Sequence, residues 1–325
     1  MLPFLTRRLL SAAAILLVIS AITFLLFTAV PGDNAADLAC GKSCTRDLLR
    51  EVRANMGLDR PIWEQYTTYM AGIVTGRVIG NKVCPAPCFG YSYHDKEFVF
   101  DKIANRLPVT ISLAVGATVL FLVVGLGLGL FAALRKGTLS DKVSMGFALI
   151  GNSVQIYVIA PFLLAIFVNS EFMKRPEYHP FLDNPLAWAK ALILPWVCLA
   201  ILFIATYARL TRASMVDALN EDYVRTARAK GLLTRQVYLK HAFRGAMSPI
   251  ATILALDVAA LLSGTIITEA SFNLHGIGEL TLLSIGDSDL PLMMAVVLLG
   301  AALVVVANIV ADVAYAVIDP RVRLA

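Results

Sequence analysis

The feature that most constrains this chain is a series of long runs without a charged residue. About 20 apolar residues cross the hydrocarbon core of a bilayer as a helix. Six runs approach or exceed this length, and the only charge within any of them is that of Asp257. In chain order they are Leu9–Val30, Leu107–Leu134, Val143–Ser170, Ala191–Ala208, Gly245–Thr268 and Leu290–Ala311. We therefore predict an all-α integral membrane protein with six transmembrane helices.

Composition supports the same class of protein. Hydrophobic residues make up 58% of the 325 residues and charged residues only 16%, whereas a soluble domain is about 25% charged. The first run follows Arg7 and Arg8 and is open to a second interpretation, a cleaved signal peptide. Its apolar stretch is longer than the roughly 7–15 residues of a signal sequence, which favours a retained first span.

The distribution of positive charge predicts the orientation. Alternate connecting segments are rich in Lys and Arg, whereas the turn at 271–290 has none and carries Glu279, Asp287 and Asp289. Positive segments stay on the cytoplasmic side. We expect a multi-pass protein of the cytoplasmic (inner) membrane with both termini in the cytoplasm. The basic residues on that side are Arg7, Arg8, Arg135, Lys136, Lys142, Arg209, Arg212, Arg225, Arg228, Lys230, Arg235, Lys240, Arg244, Arg321 and Arg323.

These boundaries divide the chain into four parts. Residues 1–30 are the N-terminus and first span, and 31–106 form an extracytoplasmic subdomain between spans 1 and 2. Residues 107–318 hold spans 2–6 and a cytoplasmic loop at 209–245 between spans 4 and 5. Residues 319–325 are a cytoplasmic tail.

Four cysteines, Cys40, Cys44, Cys84 and Cys88, lie in the outer subdomain, and Cys198 lies in a predicted span. The outer compartment is oxidising and favours disulfides, but four cysteines allow three pairings. A tetrathiolate zinc site is one alternative, because each pair has a spacing found in zinc ligands, and free thiols are the other. We expect disulfides rather than a metal, and a buried thiol at Cys198.

The cytoplasmic loop reads as two short amphipathic helices separated by Gly231. Tyr223, Ala227 and Lys230 repeat at helical spacing in the first, and Val237, His241 and Arg244 do so in the second. Glycine adopts the positive φ that ends many helices. A solvated basic connector is the plain alternative. A DNA-binding helix-turn-helix has a similar pattern, but membrane tethering at both ends argues against a nucleic-acid partner.

The residues Glu221–Gly231 resemble the conserved cytoplasmic loop of the dipeptide/oligopeptide branch of ABC-importer permeases, most closely its first (B-type) oligopeptide permease. Arg225–Ala227 stand where the wider superfamily has Glu-Ala-Ala, and His241–Arg244 stand where it has Ile-x-Leu-Pro. The segment Val78–Tyr93, with its cysteine loop, is longer than is usual there. Further matching stretches are Met56–Pro61, Ile103–Thr110, Glu269–Phe272, Gly276–Gly278 and Asp319–Arg321.

The resemblance implies a permease subunit, not an enzyme, that forms a peptide uptake path with a second permease subunit. Two separate ATPase domains, carrying ATP and Mg, would drive it, and an extracytoplasmic peptide-binding protein would deliver peptide. The loop would be a coupling helix docked on an ATPase. Its expected contact residues are Asp222, Tyr223, Arg225, Ala227, Arg228, Ala229, Lys230 and Gly231.

The chain has no ATP site of its own by sequence. Gly41-Lys42-Ser43 is its one Gly-Lys-Ser triplet, but a phosphate-binding loop also needs a glycine five residues earlier, where Ala36 stands. We expect no cofactor and no metal in this chain.

Asp257 lies inside the fifth span, where a carboxylate is costly and often functional. It is a candidate for lining the translocation path, and a hydrogen bond to a neighbouring helix is the alternative. A self-sufficient proton-coupled transporter is the rival function, but it would need several such groups.

Overall fold

The computed structural model describes residues 2–28, 45–57, 60–139, 141, 146, 154–168, 176–263 and 265–318. The chain divides into two compact units. Unit 1 comprises Met1–Thr110, Leu262–Ile266 and His275–Val305, and unit 2 comprises Ile111–Leu261, Ile267–Leu274 and Val306–Ala325.

Helices dominate the described residues, because a backbone in hydrocarbon must satisfy its own hydrogen bonds. We number the elements in chain order. They are α1 (Leu2–Thr28), α2 (Arg46–Met56), α3 (Ile62–Thr75), β1 (Arg77–Ile79), β2 (Lys82–Cys84), β3 (Tyr91–Ser92), β4 (Glu97–Phe98), α4 (Val99–Leu134), α5 (Ile156–Phe167), α6 (Pro185–Asn220), α7 (Asp222–Ala229), α8 (Thr234–Gln236), a π-helical segment (Val237–Ala242), α9 (Phe243–Leu262), α10 (Ile266–Phe272), α11 (Ile277–Gly286) and α12 (Leu290–Ile318).

Within the described residues, four helices are long and apolar enough to cross a membrane. These segments are Thr6–Phe27, Val99–Leu134, Pro185–Asn220 and Leu290–Val310. A fifth crossing results if Thr234–Met247 and Pro249–Leu262, which meet at a 53° bend, form one span. The remaining predicted span, Val143–Ser170, is only partly described, as the 12-residue helix α5. The prediction of six spans therefore stays a prediction.

Several helices extend beyond the uncharged runs that predicted them. α4 begins at Val99 instead of Leu107, and α6 continues to Asn220 instead of ending near Ala208. At 1.5 Å per residue, the 36 residues of α6 measure about 54 Å, well beyond the roughly 30 Å hydrocarbon core. Residues 209–220 of the predicted loop are therefore a continuation of the span helix.

In unit 1, the described residues between 45 and 98 form α2, α3 and two antiparallel hairpins. β1 pairs with β2, and β3 pairs with β4. A disulfide joins Cys84 to Cys88, and both sulfur-bearing side chains are buried with Ile79. Since a disulfide sulfur is not a thiolate, the tetrathiolate zinc alternative does not hold. Cys40 and Cys44 lie outside the described residues, so their state stays a prediction.

Two stretches that carried the family resemblance meet in unit 1. The Thr110 hydroxyl accepts a 2.8 Å hydrogen bond from the Ile277 backbone N–H. Arg106 forms a 2.7 Å ion pair with Glu279. These contacts fix the start of α11 against α4, and Ile103 packs beside Ile277 in the same buried cluster.

In unit 2, α4 packs closely on α6 through alternate glycines. A Cβ atom at Gly129 would lie 2.6 Å from the Ala208 carbonyl oxygen, and one at Gly125 would lie 2.8 Å from the Tyr207 Cβ. Gly127, between them, has nothing within 4 Å of its Cβ position. Small residues allow this close approach between membrane helices. Cys198, also on α6, is a buried free thiol as predicted.

The glycine contacts predict a position-specific effect of leucine substitution. We expect Gly129→Leu to lower the thermal unfolding temperature of the detergent-solubilised chain, because overpacking a filled interface typically costs about 1–3 kcal/mol. Gly127→Leu is the matched control, two residues along the same helix, and should leave the unfolding temperature nearly unchanged. Equal losses in both variants would contradict the packing described for Gly129.

Candidate functional site

The predicted coupling segment follows α6 with one intervening residue. The Asn184 side chain accepts a 3.0 Å hydrogen bond from the Ala187 N–H at the start of α6, and Pro185 occupies its first turn. At the other end, Glu221 has extended φ and ψ of −69° and 148° and separates α6 from α7. The short connection leaves α7 little freedom to move independently of the span helix.

An apolar cluster holds α7 in place. Val224 and Ala227, on one face of α7, are buried with 0% and 6% of their surface exposed. They pack in a cluster with side chains from α4, α6, the π-helical segment and α9. These are Ala133, Met215, Ala218, Val237, Ala242 and Ala246. Five of the eight side chains are alanine, so the helices approach closely around α7.

Two further contacts restrain the same helix. The Arg228 guanidinium lies 5.9 Å from the centre of the Tyr238 ring, a cation–π contact that joins α7 to the π-helical segment. A side chain at Gly245 would overlap the Tyr223 hydroxyl. Glycine at 245 therefore lets α9 approach α7.

Gly231 follows the end of α7 and has a positive φ of +74°. This is the backbone region that favours glycine, as the sequence predicts. The second helix differs from the prediction of a short separate element. It continues through the π-helical residues Val237–Ala242 directly into α9, and Val237 is buried whereas Arg244 is exposed.

The structure separates the predicted contact residues into two groups. Ala227 lies in the chain's own cluster, so it anchors α7 and is not on its exposed face. Seven other residues are exposed: Asp222, Tyr223, Arg225, Arg228, Ala229, Lys230 and Gly231. Arg225 and Asp222 also form an exposed ion pair at 3.5 Å. The outward face of α7 is thus basic, with small residues at its end.

A groove of about 370 Å³ lies next to this face, between the end of α6, α7 and α9. Asp217, Glu221 and Tyr223 contribute to its lining. The acidic groove and the basic helix face form adjacent surfaces of opposite charge, an arrangement that suits a protein partner with complementary charges at the rim of its interface.

Near this end of α6, Arg212 binds Asp141 through two hydrogen bonds of 2.5 and 2.7 Å. The hydrogen bonds from Arg212 and from the Gly137 N–H lower the pKa of Asp141 to about 2. The ionised carboxylate therefore contributes fully to the stability of the fold above its unfolded pKa of about 3.9. This contribution to stability is lost as the pH falls through the folded pKa of about 2. The ion pair therefore persists at neutral pH.

The hydroxyl of Tyr207 donates a 2.8 Å hydrogen bond to the Asp257 carboxylate, joining α6 to α9. Tyr207 is fully buried and Asp257 is partly exposed. Tyr207, Val224 and Met215 make contacts that the sequence did not predict. A helical pattern of Val224 with Ala227 was the available signal for the buried face, whereas no local signal pairs residues 50 positions apart.

Comparison with known proteins matches both parts of the chain to one transport system. Residues 1–114 match the family "Binding-prot-dependent transport system membrane comp, N-term". Residues 125–324 match the family "Binding-protein-dependent transport system inner membrane component".

Individual proteins match the chain from end to end. A probable peptide ABC transporter permease protein, y4tP of Sinorhizobium fredii, is 34% identical over 321 residues, covering 98% of this chain and 99% of the relative. A putative peptide transport system permease protein of Brucella abortus is 34% identical over 318 residues and covers 98% of both chains. The dipeptide transport system permease protein DppB of Escherichia coli is 31% identical over 347 aligned positions, 99% of both.

Proposed function

The chain belongs to the family of binding-protein-dependent transport system inner membrane components, and from this premise we propose that it is a permease subunit of an ATP-driven peptide importer. It is a multi-pass membrane protein and one component of a larger transport complex. It forms the translocation path together with a second permease subunit.

The main support for this proposal is the way in which α7 packs against the rest of the chain. Its buried face is held by the chain's own side chains, whereas its basic face is exposed. A helix fixed on one side and open on the other suits a permanent docking partner. The partner proposed here is the ATPase subunit implied by the resemblance of residues 221–231.

Force would pass from the ATPase to the spans through α7. Closure of two ATPase domains around ATP and Mg is a rigid-body motion. Because one residue separates α7 from α6 and a packed cluster joins it to α9, displacement of α7 displaces both helices. Asp222, Tyr223, Arg225, Arg228, Ala229, Lys230 and Gly231 form the proposed contact face, and Ala227 transmits the displacement inward.

The remaining parts of the proposal follow the sequence. Both termini and the segment 209–245 face the cytoplasm, six spans cross the inner membrane, and residues 31–106 face outward to receive a peptide-binding protein. ATP and Mg bind the partner subunits, because this sequence lacks a phosphate-binding loop.

Peptides are the proposed substrate class, supported by relatives whose names specify peptide or dipeptide transport. An oligopeptide is preferred and a dipeptide is the close alternative. The rival proton-coupled transporter gains no support, since its relay would need several ionisable groups within the spans.

Negative charge introduced on α7 tests the ATPase contact. We expect Arg225→Glu or Ala229→Asp to reduce recovery of the ATPase subunit by at least about tenfold, since like-charge juxtaposition costs several kcal/mol and about 1.4 kcal/mol already gives tenfold. Tagged chain would be purified in mild detergent and the co-purified proteins identified by mass spectrometry. Ala227→Asp is unsuitable here because it would bury a carboxylate in the cluster.

Lys136→Glu is the matched control for Arg225→Glu, with the same charge change at an exposed residue outside α7. The second permease should remain bound in every variant. Wild-type chain that recovers no ATPase would refute the proposal, and equal loss with Lys136→Glu would reject α7 as the specific contact.

The Asp257 side chain has two proposed roles that one substitution separates. Asn at 257 still accepts the hydrogen bond from Tyr207. If the carboxylate serves only that bond, Asp257→Asn should leave the ratio of cationic to neutral peptide uptake unchanged. Asp257→Leu and Tyr207→Phe should each destabilise the chain by about 1 kcal/mol, a usual value for hydrogen bonds between membrane helices. Selective loss of cationic peptide uptake in Asp257→Asn would instead establish a role in the translocation path.

A further inference from the structure

The helix α3, in the segment between the first two spans, has an unusual position for an element outside a span. The Tyr66 hydroxyl and the Ser20 hydroxyl on α1 are 2.8 Å apart. Phe24, also on α1, contacts the rings of Tyr66 and Tyr69 at centroid distances of 5.5 and 6.0 Å. α3 therefore packs against α1 within unit 1.

These contacts give the depth of α3. The apolar segment of α1 ends at Phe27, and Ser20 lies seven residues before it, about 10 Å along the helix axis at 1.5 Å per residue. A tyrosine side chain reaches over part of that distance. The axis of α3 is consequently placed near the boundary between acyl chains and headgroups, and not in the aqueous space beyond it.

The exposed face of α3 is uncharged. Trp63, Thr67, Ala71 and Val74 follow helical spacing and are exposed, with 66% of Trp63 and 75% of Val74 accessible. The opposite face, with Tyr66 and Tyr69, packs in the cluster with Phe24. A helix that faces water normally carries charged residues on its outer side, whereas the one charged residue of α3, Glu64, is half-buried in the first turn.

α1 also carries exposed apolar side chains. Leu17, Val18, Leu25 and Leu26 on α1 are each about half exposed or more, as expected for side chains in contact with acyl chains. Tryptophan is enriched at membrane interfaces, because its ring is apolar and its indole N–H seeks a polar partner. The depth, the neutral face and the tryptophan all favour the same occupant.

We propose that α3 is an interfacial helix whose Trp63 side binds the headgroup region of the bilayer. The helix lies in the plane of the interface in the manner of other membrane-surface helices. It thereby holds the subdomain at 31–106 against the membrane. Its inner face is fixed to α1, and its outer face lies in lipid. This inference does not depend on the coupling role proposed for α7.

Fluorescence quenching tests the inference directly. Trp63 becomes the sole tryptophan of the full-length chain in the Trp188→Phe/Trp196→Phe variant, reconstituted in nanodiscs of brominated phosphatidylcholine. We expect lipid brominated near the glycerol end of its acyl chains to quench Trp63 several-fold more strongly than lipid brominated deep in the chain. Aqueous iodide should quench it weakly, both in the chain alone and in the assembled transport complex.

A positive control places tryptophan at Leu17 on α1 in a background that also carries Trp63→Phe, and deep bromination should quench it best. The difference spectrum between native chain and Trp63→Phe checks that the two removed tryptophans do not alter the result. Quenching of Trp63 by iodide but not by lipid would overturn the proposal. Loss of lipid quenching on assembly would overturn it as well, because a protein partner would then cover this face.

Discussion

The close approach of α4 to α6 at Gly125 and Gly129 supports the rest of unit 2. Without side chains at these positions, backbone and Cβ atoms of the two helices come within a few ångströms. This contact holds α6 against α4 by close packing, which matters because lipid supplies no hydrophobic driving force between helices. α6 is one continuous helix that carries Tyr207, Arg212 and the connection to α7. Moving any of them independently would require breaking the helix or its packing.

The packing of α7 against α6 and α9 extends that rigidity to the proposed docking surface. A partner can displace the span helices through α7 only if α7 is firmly packed against them. The buried pair Val224 and Ala227 supplies this packing. The exposed side of the same helix is left free for charge complementarity, which gives specificity and association rate more than affinity. In the proposed mechanism, the buried face transmits displacement and the exposed face recognises the partner.

The sequence predicted the kind of structure better than its boundaries. Uncharged runs locate span helices because the membrane penalises charge, but they cannot show that α6 continues beyond its uncharged run to Asn220. Ala227 illustrates a second limit. Its size suggested an external contact, yet whether a small side chain faces a partner or the chain's own core depends on tertiary packing. Likewise, the Cys84–Cys88 disulfide and the hydrogen bond between Tyr207 and Asp257 are contacts that only the fold shows.

The central claim is that an ATPase subunit sits on the exposed face of α7, and site-specific photo-crosslinking tests it most directly. A benzoylphenylalanine residue would replace exposed Ala229 in the full-length chain, with the same replacement at Lys136 as the comparison. Irradiation of intact membranes should yield an adduct of this chain with an ATPase subunit from position 229, and its yield should change when ATP is added. An adduct from position 136 alone, or none containing an ATPase, would contradict the account.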